Sequence, residues 1–143
     1  SVWETLHHFV LSRLGHGVCS IQDPALLEHL WQQQIHLEAC PTCNVQTNCY
    51  DTYADHPIDK LYRAGISVGV NTDTRTITNV TLSEEYEKLH RTFGWEAKDF
   101  LHCNKNALNA AFVSDDVRNT LLTRLVDGYQ LPGSGPQRLR LVE

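Results

Sequence analysis

Three segments of this chain each run from apolar residues into a polar end. They are Arg13-Leu14-Gly15-His16-Gly17, Ile35-His36-Leu37-Glu38-Ala39-Cys40-Pro41-Thr42-Cys43-Asn44, and Ser67-Val68-Gly69-Val70-Asn71-Thr72-Asp73. A histidine moves protons near neutral pH, and a carboxylate can hold a metal or orient a water. If the three are parallel neighbours, His16, the Cys40–Asn44 turn and Asp73 share one end of one sheet. That end is where α/β enzymes carry their active sites. The residue types point to metal-assisted hydrolysis or proton transfer.

The elements needed to hold these residues follow from pattern. Residues 1–11 read as a helix, with Val2, Leu6, Phe9 and Val10 on one face. Strand 13–17 comes next. Asp23-Pro24 opens a helix running to about Gln33, with Asp as cap and Pro in the first turn. Strand 35–40 leads into a polar turn. His56-Pro57 opens another helix, closed by a left-handed Gly65, and strand 66–71 follows. Residues 72–80 read as a loop. Thr81-Leu82-Ser83-Glu84 has the form of a capping box, and Gly94 ends that helix. Residues 96–112 are helical by the spacing of Phe100, Leu101, Leu108 and Phe112. Ser114 with Asp115 and Asp116 starts a last helix ending near Gly128. From Leu131 the composition turns to Pro, Gly and Ser, so 131–143 is expected to be a flexible tail after a unit covering 1–130.

Strands joined by helices are parallel with right-handed crossovers. Three such strands leave two open edges. The expected fold is therefore α/β: about three βα units plus terminal helices, the C-terminal part of a (β/α)₈ TIM barrel.

Composition narrows the class. The chain has 143 residues, 41% of them hydrophobic, which allows a real core, and a formal charge of −5. That charge disfavours a nucleic-acid partner, since a phosphate backbone needs a basic face. No apolar run is long enough to span a bilayer, so no membrane partner is expected. The N-terminal residues carry no basic and apolar leader, and the five cysteines are an odd count. Reduced thiols in a cytoplasmic protein are the simpler reading. The chain contains no methionine, which leads us to expect a processed or truncated product of something longer.

Each motif has a plainer reading. Gly15-His16-Gly17 is also what a satisfied turn histidine looks like, and Asn71-Thr72-Asp73 is also an ordinary Asx turn or helix cap. Cys40-Pro41-Thr42-Cys43 invites a zinc knuckle with Cys49 and His56, but the spacing matches no common zinc pattern. A thioredoxin-like pair opens a helix, whereas this one is read as leading into polar coil. Cys40 packed in the sheet and Cys43 lining the strand end remain the default.

Taken together, these segments resemble the adenosine deaminase family. The resemblance runs in order through Arg13-Leu14-Gly15-His16-Gly17-Val18, Asp23-Pro24-Ala25-Leu26, Ile35 to Thr47, His56-Pro57 and Val70-Asn71-Thr72-Asp73. It continues in Ser83-Glu84-Glu85-Tyr86, Phe93-Gly94 and Asn106-Ala107, over residues 1–128. The resemblance implies a (β/α)₈ barrel of the metal-dependent hydrolase type that uses Zn²⁺ to hydrolyse the 6-amino group of adenosine or deoxyadenosine. The products would be inosine or deoxyinosine and ammonia. It implies catalytic roles for His16 and Asp73. His16 would help activate the attacking water and stabilise charge, and Asp73 would ligate zinc and orient the nucleophile. The implied partner is a small purine nucleoside.

The chain departs from the family pattern in three places. The family's His-x-His pair and His-Ala-Gly-Glu segment do not occur, so an N-terminal portion of the same protein is expected to supply them. Thr74 stands where many members have a second aspartate that contacts the purine, making Thr74 the candidate substrate-binding residue. Cys43 stands where the family often has serine, and a thiol is a weaker hydrogen-bond donor. A non-catalytic remnant acting by association and a small Cys/His zinc module are the competing readings.

Overall fold

The computed structural model describes residues 2–130; the proposed tail at 131–143 lies outside them. The order is α1 (Val2–His8), β1 (Arg13–Gly15), α2 (Pro24–Gln32), β2 (His36–Ala39), α3 (Pro41–Gln46), α4 (Ile58–Arg63), β3 (Val68–Val70), α5 (Arg75–Thr78), α6 (Leu82–Phe93), α7 (Ala97–Asn109) and α8 (Asp115–Gln130). Short 3₁₀ turns occupy Val18–Gln22 and Tyr53–Asp55.

The sheet has the order β1-β2-β3, and both pairings are parallel. Leu14 pairs with Leu37, and Leu37 with Val68, so these residues share one face. With Ala39 they pack against Leu26 and Leu30 of α2 and Ile58 and Leu61 of α4. Leu37, Ala39 and Val68 are fully buried, as continuous apolar runs in a parallel sheet should be.

The alternate residues Arg13, Gly15, His36, Glu38 and Gly69 lie on the opposite face. There the Arg13 guanidinium pairs with the Glu38 carboxylate and stands 4.8 Å over the Phe112 ring. Gly69 is required by crowding: a Cβ there would lie 2.7 Å from His36 Nε2.

Most element starts have a visible cause. Asp23 accepts from the N–H groups of Ala25 (3.0 Å) and Leu26 (3.1 Å), and from Trp3 Nε1 (2.8 Å). One carboxylate thus caps α2 and ties α1 to it. The Thr81–Glu84 capping box is formed in both directions, and Gly94 closes α6 at φ 71°.

The structure corrects several expectations. The first helix stops at His8, so Phe9 and Val10 lie beyond it and are exposed instead of sharing one face with Val2 and Leu6. The segment after β2 is helix α3, not coil: Cys40 is its N-cap residue and Pro41 its first helical residue. Proline's fixed φ suits that position, which the polar composition concealed. The loop 72–80 contains α5, and the helix expected over 96–112 ends at Asn109.

Candidate functional site

The C-terminal ends of β1, β2 and β3 open into one cleft of about 340 Å³. Gly15 and His16 line it from the first strand, Glu38 and Cys40 from the second, and Asn71, Thr72 and Asp73 from the third. The three segments that carry chemistry in the sequence therefore do meet.

His16 continues β1 by one further bond, its N–H donating to the Glu38 carbonyl at 3.0 Å. It then turns sharply, with φ 57°, and Asp73 does the same after β3 with φ 58°. Left-handed backbone at non-glycine residues is strained and concentrates at functional sites. Gly17 sustains the first turn at φ 67°, where a Cβ would also lie 2.9 Å from Leu37 Cδ2. The side chains of His16 and Asp73 converge, with His16 Nε2 3.4 Å from Asp73 Oδ2.

Asp73 is held at both oxygens. Cys43 Sγ donates to Oδ2 at 3.0 Å, and Thr74 Oγ1 donates to Oδ1 at 3.0 Å. These bonds, that from Cys43 first, hold its carboxyl below the usual carboxylate range. The group is therefore ionised at neutral pH, the state a metal ligand requires.

The same bond, with burial, pushes the Cys43 thiol up to about 11. Burial first, then nearby negative charge, pushes Cys40 up to about 12. Thr74, the candidate substrate residue, is thus placed with its hydroxyl on Asp73. It is not among the side chains lining the cleft.

Helix α3 carries the rest of the site. Asn44 Nδ2 reaches His16 Nδ1 at 3.4 Å, and Asn44 Oδ1 accepts from His56 Nε2 at 3.1 Å. The start of α3 is anchored by Glu85 of α6. Its Oε1 accepts the Thr42 N–H at 3.1 Å, and its Oε2 accepts the Tyr53 hydroxyl at 2.7 Å. At the other end of α3, Gln46 Nε2 donates to the Thr78 carbonyl at 2.9 Å, tying α3 to α5.

Among the described residues, one group of metal-capable side chains forms: His16, Cys40 and Asp73, whose ligand atoms lie within 4.8 Å of one another. A knuckle of Cys40, Cys43, Cys49 and His56 does not assemble, because Cys43 turns to Asp73 and His56 to Asn44. All five cysteines are free thiols. Sequence reasoning gave no site role to Glu38, Asn44 or Glu85, and weighed His56 only as a ligand of the zinc knuckle. A carboxylate between Leu37 and Ala39, both fully buried, was the available signal for Glu38. For Glu85, no local pattern distinguished it from its exposed neighbour Glu84.

Parallel βα units in sequential order, with polar residues gathered at the C-terminal strand ends, are the arrangement of a segment of a (β/α)₈ barrel. The chain belongs to the adenosine deaminase family, whose model matches residues 1–128. An adenosine deaminase from Lacticaseibacillus casei is 39% identical over 119 residues, which cover 83% of this chain and 35% of the relative.

Among solved structures, an adenine deaminase from Arthrobacter aurescens aligns with a TM-score of 0.84 at 25% identity. The alignment covers 88% of this chain and 38% of that one. An amidohydrolase from Burkholderia ambifaria, with bound Zn, aligns with a TM-score of 0.74 at 26% identity. Coverage is 87% of this chain and 34% of the other. The chain thus spans about a third of the length of the relatives it matches. No helix among the described residues is long and apolar enough to cross a membrane.

Proposed function

We propose that this chain forms the C-terminal portion of a zinc-dependent aminohydrolase. Its reaction would convert adenosine or deoxyadenosine to inosine or deoxyinosine and ammonia. The observation that carries the reading is the 3.4 Å approach of His16 Nε2 to Asp73 Oδ2 at the end of a parallel sheet. It occurs in a chain that belongs to the adenosine deaminase family.

The donor set suits a hard or borderline divalent ion. Asp73 presents an ionised carboxylate as the ligand, and His16 faces the same space as a hydrogen-bond donor. The remaining ligands would come from the portion of the barrel that the relatives have and this chain does not span. Zinc bound there supplies an acidified water, its pKa lowered towards about 7.

The chain's own residues do the rest. Asp73 holds the ion through a carboxylate whose direction Cys43 and Thr74 fix. His16 Nε2–H, facing the same space, stabilises negative charge as it develops at the reacting centre. Thr74 directly follows Asp73 and holds its Oδ1, and through that contact would bear on which 6-aminopurine is accepted. The protein is taken to be cytoplasmic, in keeping with its free thiols.

The test is ammonia release from adenosine, deoxyadenosine and adenine by the complete protein, with zinc measured by mass spectrometry. One tightly bound zinc and purine turnover support the reading. A complete protein without either is a non-catalytic member of the family. The isolated 143-residue chain should show no turnover, because a catalytic zinc needs three or more protein ligands.

A further inference from the structure

We propose that Asn44 and His56 are positioning residues. They fix His16 in the tautomer whose proton sits on Nε2, and they aim that N–H at Asp73 and the cleft. The kinetic part of this proposal rests on the aminohydrolase reading above; the tautomer does not.

The argument starts from a backbone group. Pro57 has no N–H, so the first main-chain donor after His56 is Ile58, which donates to His56 Nδ1 at 3.2 Å. A backbone N–H cannot reverse its role. Nδ1 of His56 is therefore an acceptor, and the neutral ring carries its proton on Nε2. That Nε2–H lies 3.1 Å from Asn44 Oδ1 and donates to it. The opposite orientation of the amide would set NH₂ against N–H, so the oxygen must face His56.

The Asn44 NH₂ then turns to His16, with Nδ2 and Nδ1 3.4 Å apart. An amide NH₂ only donates, so His16 Nδ1 accepts and its proton is placed on Nε2. This is the nitrogen that stands 3.4 Å from Asp73 Oδ2. Each link thus follows from the one before, from a main-chain amide to the carboxylate in the cleft.

Burial keeps the relay in this state. His56 is 2% exposed and Asn44 6% exposed. Desolvation first, then the charge of His16, pushes His56 down to about 4, so at neutral pH it keeps one proton. The ring of Tyr50 packs edge-on against it at 5.0 Å. His56 does not itself line the cleft, so it acts through Asn44.

The experiment uses the complete, zinc-loaded protein. Nitrogen-15 resonances of His16 should show the Nε2–H tautomer. Asn44→Asp keeps an acceptor for His56 but presents an oxygen to His16 Nδ1, and should move the His16 proton to Nδ1. A wrong tautomer at a catalytic histidine lowers kcat by about 10²- to 10⁴-fold; KM and zinc content should change little.

His56→Gln keeps a donor towards Asn44 and should lose less than about threefold in kcat. His56→Leu should lose about tenfold or more, the scale of a removed hydrogen bond. An Nδ1–H tautomer in the wild type overturns the proposal. So does an unchanged tautomer in Asn44→Asp, or equal kcat in the two His56 variants. If the complete protein turns over no purine, the aminohydrolase reading fails while the resonances still decide the relay.

Discussion

Cys43 Sγ donates to the same oxygen of Asp73, Oδ2, that faces His16 Nε2. The contact makes the thiol a poor nucleophile and the carboxylate a better anion, shifting the two pKa values in opposite directions. In metal-stripped protein at pH 7.5, Cys43 should alkylate more slowly than the exposed Cys19 and Cys49. The thiolate is the reactive form, and at about 11 the Cys43 thiol is almost wholly protonated. Asp73→Asn removes the charged acceptor and should raise the Cys43 rate about tenfold or more. Peptide mapping by mass spectrometry measures all three sites at once. A Cys43 rate indifferent to Asp73→Asn would show that the contact does not control the thiol.

The roles of His16 and Asp73 separate by metal content. Asp73→Ala in the complete protein should lose zinc and turnover together. His16→Ala should keep most of the zinc and lose about 10²-fold or more in rate, the scale of an acid/base or electrostatic group. Equal zinc loss in both variants would make His16 a ligand instead.

The sheet order and its C-terminal cleft were legible because apolar runs stop at polar residues and each is followed by helix signals. Asp23-Pro24, the Thr81–Glu84 box and Gly94 were legible because caps are local chemistry. Helix α3 was not, because Thr42, Cys43 and Asn44 have low helix propensity. It stands because Pro41 starts it and Glu85, far away in sequence, anchors its first turn. The relay through Asn44 and His56 was hidden for the same reason: its links join residues 28 and 12 positions apart. Only the fold brings them within reach.

Glu85 is fully buried and satisfies two donors at once, the Thr42 N–H and the Tyr53 hydroxyl. Glu85→Ala strips the buried Thr42 N–H of its acceptor and leaves the half-buried Tyr53 hydroxyl only the main-chain carbonyl of residue 85 at 3.4 Å, a cost of about 1–3 kcal/mol. Glu85→Gln keeps one acceptor but opposes the other donor with NH₂, and should fall between. Chemical denaturation of the complete protein measures this. A Glu85→Ala variant as stable as wild type would mean that α3 does not depend on this anchor.

Two buried histidines set an acid dependence of stability. Burial pushes both His36 and His56 down to about 4; the charge of Arg13 adds to the effect at His36, that of His16 at His56. In the unfolded chain each titrates near the ordinary 6.5. Between those values the unfolded state binds protons that the folded state excludes. Stability is therefore fully present above about pH 6.5, falls as pH drops through the window, and levels off near pH 4 as far as these groups are concerned. The slope is at most about 1.4 kcal/mol per pH unit for each histidine. Denaturation midpoints measured from pH 7.5 to 4.5 should show it, and His36→Gln should remove one share. An identical pH profile for His36→Gln would mean that His36 is not held neutral.

Thr74 ties the proposed metal ligand to the question of substrate. Its hydroxyl donates to Asp73 Oδ1 at 3.0 Å, while Cys43 holds Oδ2. Because Cys43 still fixes the carboxylate, Thr74→Asp in the complete protein should leave the zinc content unchanged. On the proposed function, a second carboxylate one residue past Asp73 should instead alter discrimination among adenosine, deoxyadenosine and adenine. A hydrogen bond to a charged group is worth about 1.5–3 kcal/mol, so ratios of kcat/KM should change by about 10- to 100-fold. Thr74→Ala supplies the control, since it removes the bond to Asp73 without adding charge. If both variants keep the wild-type ratios across the three purines, Thr74 serves only the turn that positions Asp73, and specificity is set elsewhere in the barrel.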